Sequence, residues 1–142
     1  LYVIALLLPL LTFSQWKNIF KNANITSAPI FPGCEGFYDS EKEKRKCFQE
    51  QITKHIKKNF RYPKVALRKK IQGIVSVTFM IDIDGSIKEI RTKGPHPLLE
   101  KEAARIVSLL PGIEPGRNGD KFVRVPFSFP ITFRLPWLNR RP

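Results

Sequence analysis

Apolar positions recur at two different periods along this chain, and the switches between them lay out its elements. Phe48, Ile52, Ile56 and Phe60 fall four residues apart and form one helical stripe. Ser40 stands ahead of the stripe as a helix cap, and Glu41 and Glu43 follow where the helix dipole favours negative charge. Lys44, Arg45, Lys46, Lys54, Lys57 and Lys58 fill the other faces. Tyr62-Pro63 stops the helix, because the residue before proline avoids helical backbone, and Pro63 can open a short second turn through Leu67.

The period then becomes two. Val75, Val77, Phe79 and Ile81 alternate with Ser76, Thr78 and Asp82, which predicts a strand over residues 73–82. Asp84-Gly85 predicts a hairpin turn, and residues 86–93 form the returning strand. Ile87 and Ile90 lie three apart, which predicts a bulge or a twisted end there. Helical spacing returns over residues 97–110, with Leu99, Ala103, Ile106, Val107 and Leu110 on the buried face, and Pro111-Gly112 ends it. Residues 113–120, with Pro115-Gly116 and Asn118-Gly119, read as a loop. Residues 122–135 read as one long strand, with every odd position from Val123 to Leu135 apolar. The order α-β-β-α-β predicts an α+β fold: a small antiparallel three-stranded sheet with two main helices on one face.

Composition adds a compartment. Residues 1–15 carry no charge, so the whole net charge of +13 sits on the remainder. Their apolar run is shorter than the roughly 20 residues that cross a bilayer, and Pro9 interrupts it. It reads as a signal peptide or a short N-terminal anchor; either places the rest outside the cytoplasm. Residues 16–40 read as a linker lying across the surface, 41–136 as the domain and 137–142 as a tail. Asn24-Ile25-Thr26 matches a glycosylation sequon. Cys34 and Cys47, an even pair in an exported chain, are expected to form a disulfide.

No catalytic chemistry is readable. A metal site lacks further ligands at suitable spacing, since His55 and His96 stand apart from the cysteines. Asp82-x-Asp84-Gly85 lacks the later glycine and glutamate of a calcium loop, so a hairpin turn is the better reading. His55 reads as a packing residue, and His96 as a loop residue or helix cap. There is no Ser-His-Asp set, phosphate loop or dinucleotide fingerprint, and no cofactor is expected. The basic balance, with a sequence pI of about 10.1, raises nucleic acid as a partner. No recognition helix or aromatic RNA-binding pair accompanies it, and export argues against it. An anionic membrane surface is the better electrostatic partner, although the lysines of the first helix also read as an ordinary solvated face.

A resemblance covers residues 49–135. Tyr62-Pro63, Ala66, Ile71-Gln72-Gly73, the alternating Val75 to Ile81 and Asp84-Gly85 resemble the opening of the TonB C-terminal domain family. Leu98-Leu99-x-x-Glu102-Ala103, Pro115-Gly116 with Gly119, and the long last strand resemble its second half. One departure is Ile113, where the family often places an aromatic. The resemblance implies a periplasmic, non-enzymatic domain that grips a segment of a TonB-dependent outer-membrane receptor by strand addition and supports energised nutrient transport. It also implies inner-membrane proton-channel motor proteins as possible partners. The short spacer after the apolar start instead points to a domain-only exported relative without the motor connection. Tyr62 and Pro63, carried over from the matching motif, are candidate partner contacts; Tyr62 also reads as a ring packed over the second long helix. The alternative function is a periplasmic protein-binding or scaffold module that kept the fold without energy coupling.

Backbone geometry sharpens the site. In an antiparallel strand, residues of one parity turn their N–H and C=O groups to the same edge. Pro126 and Pro130 share even parity, so the even edge should face outward, with donors left at Ser128, Thr132 and Arg134. Those three are the candidate edge contacts.

Overall fold

The computed structural model describes residues 25–135 apart from Tyr38. The apolar start, the first part of the expected linker with Asn24, and the tail lie outside the described residues.

Helix α1 (Glu41–Asn59) starts where a cap is available: the Ser40 hydroxyl accepts from the Glu43 amide at 3.3 Å. It buries Cys47, Phe48, Ile52 and Ile56. Lys44 departs from the expected solvated face: it is only 5% exposed, its ammonium donating to Ser27 Oγ and Glu41 Oε1. A buried cation is tolerated here because both partners converge on it. The short helix α2 (Lys64–Arg68) follows, with Pro63 at its N-cap.

The hairpin of β1 (Gly73–Ile81) and β2 (Ile87–Lys93) turns at Gly85, whose φ of 81° is open to glycine at little cost. A side chain there would also meet the Ile113 carbonyl oxygen at 2.4 Å. Of the bulge or twisted end expected here, the bulge is present: the ladder shifts between Thr78 and Met80, opposite Glu89, whose φ is 53°. Helix α3 (Pro97–Ser108) is capped by His96, whose Nδ1 accepts from the Leu98 amide. It buries Leu99, Ala103, Ile106 and Val107, and ends short of Leu110 because the Leu109 and Leu110 amides bond back to Ile106 and Val107.

The stretch expected as a loop and then one long strand is divided. β3 (Gly116–Asn118) and β4 (Lys121–Val123) form their own hairpin around Gly119, and the sheet strand β5 spans Val125–Phe133. Gly119-Asp120 form its two-residue turn, with Gly119 at a φ of 61°, and its closure takes 121–123 out of the main ladder. The main sheet has the order β2-β1-β5, all antiparallel, with both long helices on one face.

The expected surface linker is partly core. Ile30 bridges Glu114 and Ser27 bridges Arg117, so residues 25–30 run beside the β3 hairpin. Ala28, Ile30, Phe31 and Cys34 are buried. The Cys34–Cys47 disulfide, with Cα atoms 5.9 Å apart, fastens this segment to α1. A row of rings continues inward: Phe31 meets Phe48 edge-on at 5.7 Å, Phe48 stacks on Phe127 at 4.7 Å, and Phe127 on Phe79 at 5.7 Å. Burying each such side chain stabilises the fold by roughly 2–3 kcal/mol.

Candidate functional site

The outer edge of β5 is defined by hydrogen-bond parity. The Asp82 amide donates to the Ser86 carbonyl at 2.9 Å, so even residues of β1 turn their backbone toward β2. Odd residues of β1 therefore face β5, and the register Gly73↔Phe133 through Ile81↔Val125 pairs odd with odd. The even residues of β5, Pro126 and Pro130 among them, turn their backbone outward. A proline on this edge removes no ladder bond. Among the described residues, β5 pairs with β1 alone, and neither segment 25–30 nor the β3 hairpin pairs with its outer edge.

The candidate contacts differ in exposure. Ser128 and Arg134 are exposed, and Ser128 Oγ accepts from Thr78 Oγ1 at 3.3 Å. Thr132 is only 5% exposed, so pairing at its backbone requires its present neighbours to move aside. Arg134 lies one residue past the end of β5 and borders an open cleft of about 500 Å³, with Gln72, Gly73, Ile74, Thr132 and Phe133. Ser128 sits roughly 20 Å from Arg134 along an extended chain.

Tyr62 and Pro63 are placed beside the far end of this strand. The Tyr62 ring meets Phe133 edge-on at 5.8 Å and Phe60 at 6.2 Å. Its hydroxyl donates to the Ile71 carbonyl, and burial pushes its pKa up to about 12. The ring packs on Phe133 of β5. Tyr62, Thr132, Phe133 and Arg134 thus share one end of the strand, while Ser128 stands alone toward the middle.

A polar tie holds this end rigid. Glu102 on α3 accepts from the Arg61 amide at 2.9 Å and from Arg105 at 2.7 and 2.8 Å; Arg105 also donates to the Asn59 carbonyl. The Glu102 hydrogen bonds raise the Arg105 pKa. His55 Nε2 lies 2.8 Å from the Ile106 carbonyl and joins the two long helices. These contacts fix the chain between α1 and α2, and hence Tyr62. Glu102 was legible only as part of the family motif.

The other end of the sheet is tied by charge. Asp82 meets Lys88 of β2 and Arg124, next to β5, each at 3.1 Å. The Ile83 amide, then Lys88 and Arg124, hold its carboxyl below the usual range. No group of His, Cys, Asp and Glu among the described residues could hold a metal ion, and no described helix is long and apolar enough to cross a membrane.

Comparison with known proteins agrees with this architecture. The family model for the Gram-negative bacterial TonB protein C-terminal matches residues 58–135, more than half of the chain. Among solved structures, the Helicobacter pylori TonB C-terminal domain (residues 179–285) is 25% identical, covers 77% of this chain and 97% of its own, and superposes with a TM-score of 0.50. A shorter version of that domain (residues 194–285) is 29% identical over 63% of this chain and 95% of its own, with a TM-score of 0.45. No curated protein matches the chain.

Proposed function

The chain belongs to the TonB C-terminal domain family, a family of receptor-interaction domains, and from that premise we propose that it binds outer-membrane receptor segments by adding them to the outer edge of β5. The observation that carries this reading is the nine-residue ladder of β5 with one side unpaired among the described residues. An extended peptide pairing there gains backbone hydrogen bonds that tolerate its sequence. Pairing begins at the exposed Ser128 and extends toward Thr132 and Arg134. Tyr62 and Pro63 flank the end of the groove. In this reading the domain works in the periplasm, supports energised uptake across the outer membrane, and uses no catalysis or cofactor. Inner-membrane motor proteins would supply the energy if the chain is physically coupled to them.

Titration of the full chain with extended peptides from receptor plug domains tests this. Binding that is lost in Ser128→Pro or Thr132→Pro, with the circular dichroism spectrum unchanged, supports strand addition. Binding to no receptor segment would favour a scaffold module instead.

A further inference from the structure

The three-stranded sheet has a second face, turned away from the two long helices; Thr132 on it is covered, while its β1 and β2 side is open. Ser76, Thr78 and Ser128 stand exposed on it, and Ile74 is 57% exposed beside them. Residues directly opposite in an antiparallel pair point the same way, so the register Ser76↔Lys93 and Thr78↔Arg91 puts two cations on this face. Arg134 adds a third at the far corner, on the rim of the cleft that Ile74 lines. The outward positions from residue 72 to 80 on β1 and from 126 to 134 on β5 hold no carboxylate, and neither do the facing positions 91 and 93 of β2. Among the described residues no salt bridge engages Arg91, Lys93 or Arg134, whereas Lys88 and Arg124 at the hairpin end are paired with Asp82. The α1 surface differs: its lysines are interleaved with Glu41, Glu43 and Glu50.

A flat face roughly 30 Å long, rimmed by unpaired cations, floored by hydroxyls and carrying one exposed isoleucine, complements a phosphate-bearing surface with apolar depth beneath it. We propose that this face docks on anionic phospholipid headgroups, with Arg91, Lys93 and Arg134 meeting phosphates and Ile74 entering the headgroup boundary. The inference goes beyond strand pairing and survives its failure, since Arg91, Lys93 and Ile74 lie on the face and take no part in the β5 edge; Arg134 alone is used by both readings. The two fit together sterically: backbone donors of β5 point in the plane of the sheet, so a face-docked domain directs its open edge along the membrane.

The full chain is measured by co-sedimentation with phosphatidylcholine vesicles and with vesicles containing phosphatidylglycerol. The ratio between them removes the charge-independent background expected from the apolar residues 1–13. Each cation near an anionic leaflet strengthens binding about fivefold, so Arg91→Glu with Lys93→Glu should lower the ratio by at least 30-fold. Lys57→Glu with Lys58→Glu makes the same change of net charge on α1 and should lower it only a few-fold. Ile74→Ser should weaken binding a few-fold with its salt dependence unchanged. Equal losses in both double variants, no preference for anionic vesicles, or displacement by an equal charge of single-stranded DNA would each overturn the assignment.

Discussion

The two edges of the sheet are built differently. β2 is interrupted by a bulge at Glu89 and studded with Lys88, Glu89, Arg91 and Lys93. Those are devices that discourage another chain from pairing. β5 pairs without interruption over nine residues and buries Val125, Phe127, Phe129, Ile131 and Phe133 beneath it. Its outer edge is moderated only by Pro126 and Pro130, which leave carbonyls in place and donors between them. One edge is closed by charge and irregularity; the other is a straight template with spaced donors. In the proposed reading, the buried backing of β5 fits it to hold a pulled strand.

Removing that backing gives the largest effect. Phe127→Ala should cost about 3–5 kcal/mol in denaturant unfolding, because two ring stacks end on it. Ile90→Ala in the half-buried β2 should cost only about 1 kcal/mol. Similar losses at both sites would remove the distinction in backing. Next in size is the disulfide: replacing Cys34 and Cys47 with serine should lower stability by about 3 kcal/mol and loosen residues 25–34. Limited proteolysis should then cut that segment first.

Binding separates the edges more finely. Ser128→Pro should weaken receptor-peptide affinity about tenfold, the loss of one backbone donor and its neighbour. Thr92→Pro, whose amide faces the outer edge of β2, should leave affinity unchanged. Loss on Thr92→Pro instead would assign binding to the other edge.

The smallest effect is expected from acid. Burial by itself would raise the Glu41 pKa, but the Lys44 ammonium and the Ala28 amide outweigh it and hold the carboxyl below its ordinary 4.5. Asp82 is likewise lowered, by the Ile83 amide first and then Lys88 and Arg124. A carboxyl depressed by folding contributes stability that is complete above its unfolded pKa and lost as pH falls through the folded one. Unfolding midpoints should therefore be flat from about pH 5 to 9 and decline below about 4.5. Glu41→Gln should flatten that decline most for residues 25–31, which its carboxylate holds through Ala28. A midpoint that rises on acidification would contradict the sign.

Much of the fold was legible because its signals are local. The period of two in β1, the Asp84-Gly85 turn and the Ser40 cap each sit within a few residues of what they specify. Segment 25–34 was not legible in this way. Pro29 and Pro32 erase periodicity there, and its burial is set by residues 114–117, far along the chain. Lys44 escaped for the same reason: its partner Ser27 lies on that segment. The β3 hairpin was hidden because Val123 keeps the alternation of β5 in sequence while pairing elsewhere in space. For the candidate site, the proline parity could be read directly, since backbone direction follows from residue number alone. The burial of Thr132 could not, since alternation predicts only which face a side chain takes.

Amide hydrogen exchange on the full chain, with and without a receptor plug peptide, shows which edge of the sheet an added strand takes. Slowed exchange is expected at Ser128, Thr132 and Arg134, with Ile90 and Thr92 unchanged. Slowed exchange along β2, or a bound peptide that leaves the three β5 amides untouched, would contradict pairing at β5.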